Sequence, residues 1–261
     1  MECDDVVRQF GQWWGGCHEG RAYEILEVLA YGEDCRRRPL ASWLDPPLPW
    51  GGCADEIFQT LIEGGLWGEV RVGGVRRGRP TGLLYPTPRG KDLLRALGLK
   101  LEHGYEELLR RHGSPKGVLL ALLARDKLQS WEDCREFPDL WAEEVQTPAG
   151  RSITPDLVAT VMRFNDAQDD NWDENLYVRL RVDPCPSECK WNPELVGTWQ
   201  AYHELNDRCL YVVVPGKAHE ELVIREVRQW QAIARIGATL YTTNVTQPGP
   251  TWRKTVLPWF G

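Results

Sequence analysis

The stretch Cys209 to Pro215, CLYVVVP, constrains the fold of this chain more than any other. It carries no polar alternation, so it is a strand buried on both faces, the situation of a parallel sheet covered by helices. Helical segments flank it. Upstream, NPELVGTWQAYHELN has Asn192 as N-cap and Pro193 at the first helical position. Downstream, KAHEELVIREVRQWQAIARIG reads as a second helix and ATLYTTN as the next strand. Before them, LYVRLRVD alternates, with Leu176, Val178, Leu180 and Val182 on one face and Tyr177, Arg179 and Arg181 on the other. ITPDLVATVMRF reads as a strand from about Leu157, NDAQDDNWDEN as a polar loop, and LWAEEV as a first strand. The order α-β-β-β-α-β-α-β predicts an α/β domain with a mixed sheet.

The N-terminal half has another style. RAYEILEVLAYG, RRRPLASWLD and GGCADEIFQTLIEGG read as three helices, with Ala54, Ile57, Phe58 and Leu61 on one face of the third. LWGEVRV and LLYPT then read as two strands of a hairpin, and PTPRGKDLLRALG as a closing helix. Between the strands lies VGGVRRGRPTG, whose Arg77-Gly78-Arg79-Pro80 resembles the core of an AT-hook. Three helices, an arginine-tipped hairpin and a closing helix predict an α+β winged helix-turn-helix domain, and GGLWGEVRVGG…LLYPTPRGKDLL resembles that family's wing. In such folds the third helix enters the major groove and the wing contacts backbone or minor groove. The third helix here carries Asp55, Glu56 and Glu63 and no cation, so the wing is the expected DNA contact. KLEHGYEELLRRHGSPKGVLLALLARDKL predicts two more helices. The expected division is 1–98 for the winged helix, 99–245 for the second domain and 246–261 for an irregular Pro- and Trp-rich tail.

Charge sharpens this division. From Arg71 to Lys91 the chain has six cations, Arg71, Arg76, Arg77, Arg79, Arg89 and Lys91, and no acid, although its net charge is −7. From Ser130 to Glu174 it has twelve acids against three arginines. The first region suits phosphate, and the second repels it unless a metal or partner intervenes. No apolar run approaches 18 residues, and the start MECDDVVRQFGQWW lacks a signal-peptide core, so a cytoplasmic location without membrane contact is expected. The eight cysteines are scattered and form no Cys-x-x-Cys pair; a zinc site at Cys185 and Cys189 would need two further ligands. Nucleotide-binding, serine-hydrolase and zinc-protease motifs are absent.

The second domain's element order is that of the PD-(D/E)xK nucleases. Thr154-Pro155-Asp156 leads into a strand, as the family's first carboxylate does. The chemistry needs two or three carboxylates converging on Mg²⁺ or Mn²⁺, and a lysine to position the attacking water. At the expected Glu and Lys positions stand Arg179 and Arg181, which cannot ligate a cation and form a pseudo-active site. A shifted Glu-x-Lys exists at Glu188-Cys189-Lys190, and Glu143 or Glu144 offers a further carboxylate. Catalysis, if present, would then use Asp156, Glu188 and Lys190, with Asp156, Glu188 and Glu144 on the metal. Pro-Asp alone is weak, since Phe137-Pro138-Asp139 is a second one with no Glu-x-Lys behind it.

The whole succession resembles the replication-relaxation family of plasmids and integrative elements. The residues that carry the likeness are the wing GLW…RPTGLLYPTPRG, His103, TPDLVATV, LYVRLRV, the helix ending near Tyr202 and the strand LYVVVP. The resemblance implies an accessory protein of a mobile element (plasmid, phage or transposon) that binds double-stranded DNA. Its nuclease-like domain would be inactive, without cofactor, and would serve DNA or protein contacts. Two other expectations stand beside it. One is an active metal-dependent endonuclease. The other is an interaction subunit or inhibitor in a nucleic-acid machine, with a protein partner or a second copy as its target.

Overall fold

The computed structural model describes residues 22–31, 34–42, 53–73, 75, 80–101, 103–165, 170–184, 191–247 and 251–258. The chain forms two compact units, Met1–Gly73 with Arg79–Pro115, and Gly74–Gly78 with Lys116–Gly261. No described helix is long and apolar enough to cross a membrane.

The first unit holds α1 (Ala22–Tyr31), α2 (Arg37–Ser42), α3 (Cys53–Glu63), β1 (Trp67–Val72), β2 (Thr81–Pro86), α4 (Pro88–Ala96) and α5 (Tyr105–His112). The predicted apolar faces meet in one core, where Leu26, Leu40, Ile57, Phe58, Leu61, Trp67, Leu84 and Leu93 are all buried. β1 and β2 pair antiparallel from Trp67↔Pro86 to Val72↔Thr81, so residues 73–80 form the hairpin tip. Just before α2, Arg36 bridges Leu83, and the Leu84 N–H donates to the Cys35 carbonyl at 2.7 Å.

Thr87-Pro88-Arg89-Gly90 fixes the closing helix to the hairpin. Thr87 is its N-cap and accepts from the Gly90 N–H, with Pro88 at the first position. The Thr87 hydroxyl donates to the Gly65 carbonyl at 2.6 Å. A Cβ on Gly90 would lie 2.1 Å from the Leu66 carbonyl oxygen. The approach of α4 to that backbone therefore requires glycine. The first unit continues past the expected boundary at residue 98 because α5 packs on the hairpin. The Tyr105 and Tyr85 rings lie 5.6 Å apart, and Lys91 bonds Glu106 at 2.6 Å.

The second unit holds α6 (Pro115–Gln129), β3 (Val145–Gln146), β4 (Ser152–Ile153), β5 (Leu157–Asn165), β6 (Asp170–Leu180), α7 (Pro193–Leu205), β7 (Cys209–Val214), α8 (Lys217–Ala234), β8 (Ala238–Asn244) and β9 (Arg253–Leu257). The expected mixed sheet is present, with order β5-β6-β7-β8-β9. β6, β7 and β8 run parallel, while β5 and β9 are antiparallel additions at the two sides. Val212 and Val214 are fully buried, as the apolar run of β7 demands. α7 and α8 cross over on one face, where Trp199, Tyr202, Val223, Val227 and Trp230 pack on Leu210, Val212, Val214 and Leu240. On the opposite face Tyr211 stacks on Tyr241 at 4.9 Å, with Trp252 edge-on to Tyr211.

Three expectations are corrected. LWAEEV does not supply the first strand of the sheet; only Val145 and Gln146 pair, with Ile153 and Ser152. Residues 133–139 line the outer side of β5 in its place. The Met162 N–H donates to Asp133, the Arg135 N–H to Thr160, and Asp139 and Val158 exchange both bonds, at 2.8–3.0 Å. NDAQDDNWDEN is not all loop, since β6 begins at Asp170. The tail from 246 is not all irregular, since RKTVL pairs with β8 from Ala238↔Leu257 to Thr242↔Arg253.

Replacing Gly90 with alanine pushes a methyl group into the Leu66 carbonyl. We expect Gly90→Ala to lower the urea midpoint by the equivalent of about 1–3 kcal/mol, the usual cost of overpacking. Gly98→Ala, where a Cβ meets nothing within 4 Å, tests left-handed backbone alone.

Candidate functional site

Asp156 stands at the start of β5, where the family pattern places a metal ligand. Its backbone N–H donates to the Tyr202 hydroxyl at 2.7 Å. Its Oδ2 accepts from the Leu180 N–H at 2.9 Å. The reason is register. The β5–β6 ladder ends at Leu157↔Val178, so Leu180 has run past β5. The Asp156 carboxylate satisfies a backbone donor that the ladder no longer reaches.

Arg179 lies beside it, 7% exposed, with its guanidinium 4.5 Å from the Trp199 ring and 5.5 Å from the Tyr202 ring. Burial pulls its pKa below the ordinary value, and the Asp156 charge acts the other way. Burial pushes the Tyr202 hydroxyl well above its ordinary value, and the neighbouring Asp156 carboxylate adds to this. Arg181, on the same face, pairs with Glu226 at 2.7 Å. Glu226 is fully buried and also accepts from the Trp199 indole N–H at 3.2 Å. The Nε atoms of Arg179 and Arg181 are buried without a hydrogen-bond partner.

A divalent cation does not fit these residues. One Asp156 oxygen is committed to Leu180, and the nearest charge is a guanidinium. Glu143 and Glu144 are exposed, and among the described residues no three His, Cys, Asp or Glu side chains gather into a metal-binding group. Glu188 and Lys190 lie outside the described residues, as do Cys185 and Cys189. The structure thus brings Asp156, Arg179 and Arg181 together and adds Trp199, Tyr202 and Glu226, which sequence reading missed. One trace of Glu226 was present: it is an acid set among Val223, Ile224, Val227 and Trp230 on a helix's apolar face.

The cations of the hairpin region have protein partners where they are described. The Arg71 side chain is 77% exposed and 3.2 Å from Glu69. Arg89 donates to the Gly64 carbonyl at 3.3 Å, at the end of α3. Lys91 bonds Glu106. Arg76, Arg77 and Arg79 lie outside the described residues, and Val75 among them is buried. Glu69 also pairs with Arg37 of α2 at 2.8 Å, and packs so close over Gly82 that a Cβ there would meet its Oε1 at 2.1 Å. On α3 the exposed Gln59 donates to Glu63 at 2.9 Å, which leaves a carboxylate on the face a major groove would receive. His103 is edge-on to Tyr31 at 6.5 Å.

No protein-family model, curated protein or solved structure matches the chain.

Asp156→Ala strands the Leu180 N–H and removes a charge beside Arg179. We expect a drop of about 1–3 kcal/mol in urea unfolding with EDTA present; a pure metal ligand would cost nothing there. His203 gives a pH signature. It is buried, contacts the Gly237 carbonyl at 3.0 Å, and burial holds its pKa below the ordinary 6.5. The folded chain favours the neutral ring. Its contribution is therefore complete above pH 6.5 and is lost as pH falls through the lowered folded value. His203→Gln should flatten the decline of unfolding free energy below pH 6.5.

Proposed function

We propose that this chain is a DNA-binding protein in which a winged helix carries the contact and a nuclease-like fold serves without catalysis. The observation that carries the second half is the pairing of Asp156 with the Leu180 N–H beside the buried Arg179. A site organised this way is satisfied by the protein's own groups and attracts no metal. The first half is supported by the order of three helices, hairpin and closing helix, and by the Arg36–Leu83 bridge that ties α2's start to the hairpin. The register that makes residues 73–80 the tip puts Arg76, Arg77 and Arg79 at the wing's end in sequence. There they suit a minor groove or phosphates. The mobile-element setting rests on the sequence resemblance.

A second reading has an observation of its own. Glu63 on the exposed side of α3 repels phosphate, so a winged helix used for protein contact is the alternative. It predicts recovery of a protein partner without nucleic acid, unaffected by wing substitutions.

Replacing Arg76, Arg77 and Arg79 with alanine should weaken duplex binding. It should also reduce the slope of log K against log salt by about 0.9 for each phosphate that is no longer neutralised. An unchanged slope overturns the wing assignment. Plasmid incubated with Mn²⁺ should remain intact; nicking abolished by Asp156→Ala overturns the non-catalytic half.

A further inference from the structure

Two clefts in the first unit, of about 450 and 560 Å³, share Gly98, Leu99 and Lys100 and so form one groove. It runs along the chain leaving α4. Leu94, Leu99 and Leu101 form the floor on one side, and Val28 and Tyr31 of α1 on the other. Val28, Leu99 and Leu101 pack against the core while remaining partly exposed, and Tyr31 is 49% exposed. Gly98, at φ +71°, bends the chain in the middle, and a Cβ there would meet nothing within 4 Å. The centre of the groove is therefore open.

Its rim is basic. Lys91, Arg95 and Lys100 line it against a single acid, Glu27. The partners of Lys91 and Arg95 are the exposed Glu106 and Asp92. Exposed ion pairs of this kind are weak and are exchanged readily for another carboxylate.

We propose that this groove binds an amphipathic helix of a partner protein, apolar on one face and acidic along its flank. A helix lying in a groove inserts anchors at i, i+3 or i+4, and i+7. The leucine floor, continuous with the core, receives such anchors, and the three cations complement the acids. A nucleic acid would use the cations but leave Tyr31 and the leucines unmatched. This surface is independent of the wing and of Asp156, so its failure and theirs are separable.

The test uses the full chain and a fluorescein-labelled 15-residue peptide of glutamate with leucine and tryptophan at that helical spacing. Anisotropy should report a dissociation constant on the order of 10 µM, as befits a small interface. Arg95→Glu with Lys100→Glu should weaken binding at least tenfold, and Tyr31→Ala several-fold. These side chains are exposed, so folding is retained, which circular dichroism verifies. A peptide with lysine for glutamate should bind the doubly substituted chain better than the wild type. Absence of binding by the wild type overturns the proposal. So does equal affinity for the acidic and basic peptides, or displacement of the acidic peptide by a 20-base-pair duplex.

Discussion

The Tyr202 hydroxyl is the point on which the second unit turns. It accepts the Asp156 N–H and so holds α7 to the place where β5 begins and β6 ends. Three residues earlier on the helix, Trp199 helps form the bed on which Arg179 lies. One turn later, Asn206 accepts the Tyr177 N–H and donates to the Tyr177 carbonyl, both at 2.9 Å. α7 is thus sewn to β6 through side chains, as if it were a further strand. α8 joins through Glu226, which holds Arg181 and Trp199 together. A polar knot inside an apolar core is favourable only when its members are mutually satisfied. That condition gives Asp156 a structural task that no cation needs to share.

The frame of this unit was legible in sequence because burial writes itself into composition. CLYVVV has no polar face, and the strand it forms has helices on one side and a tyrosine stack beside it. Helix starts were legible where a cap and a proline coincide, at Thr87-Pro88 and Asn192-Pro193. What escaped was pairing without a side-chain pattern. RKTVL is charged and exposed over most of its length, the ordinary guise of a strand at the side of a sheet. Residues 133–139 bind β5 through backbone groups, and their acids and proline read as loop.

The site was legible by half. Alternation put Arg179 and Arg181 on one face and marked them as cations where ligands were due. It could not say what covers them. Trp199, Tyr202 and Glu226 come from two helices whose faces are known only once they dock. The Pro-Asp at 138–139 shows the same limit. It read as a turn, and Asp139 Oδ1 does accept the Trp141 N–H at 2.6 Å. Yet the same residue's backbone pairs with Val158.

That pairing also bears on solubility. Leu157 to Met162, LVATVM, is six residues of high strand propensity with no charge and no proline, the composition that templates amyloid. The chain's own upstream segment is lashed along it, so a second molecule finds no vacant backbone there. Glu132, Asp133, Glu136 and Asp139 flank the contact as gatekeepers. Much of the acid surplus between residues 130 and 174 then has a use that involves neither metal nor partner: it keeps identical chains apart.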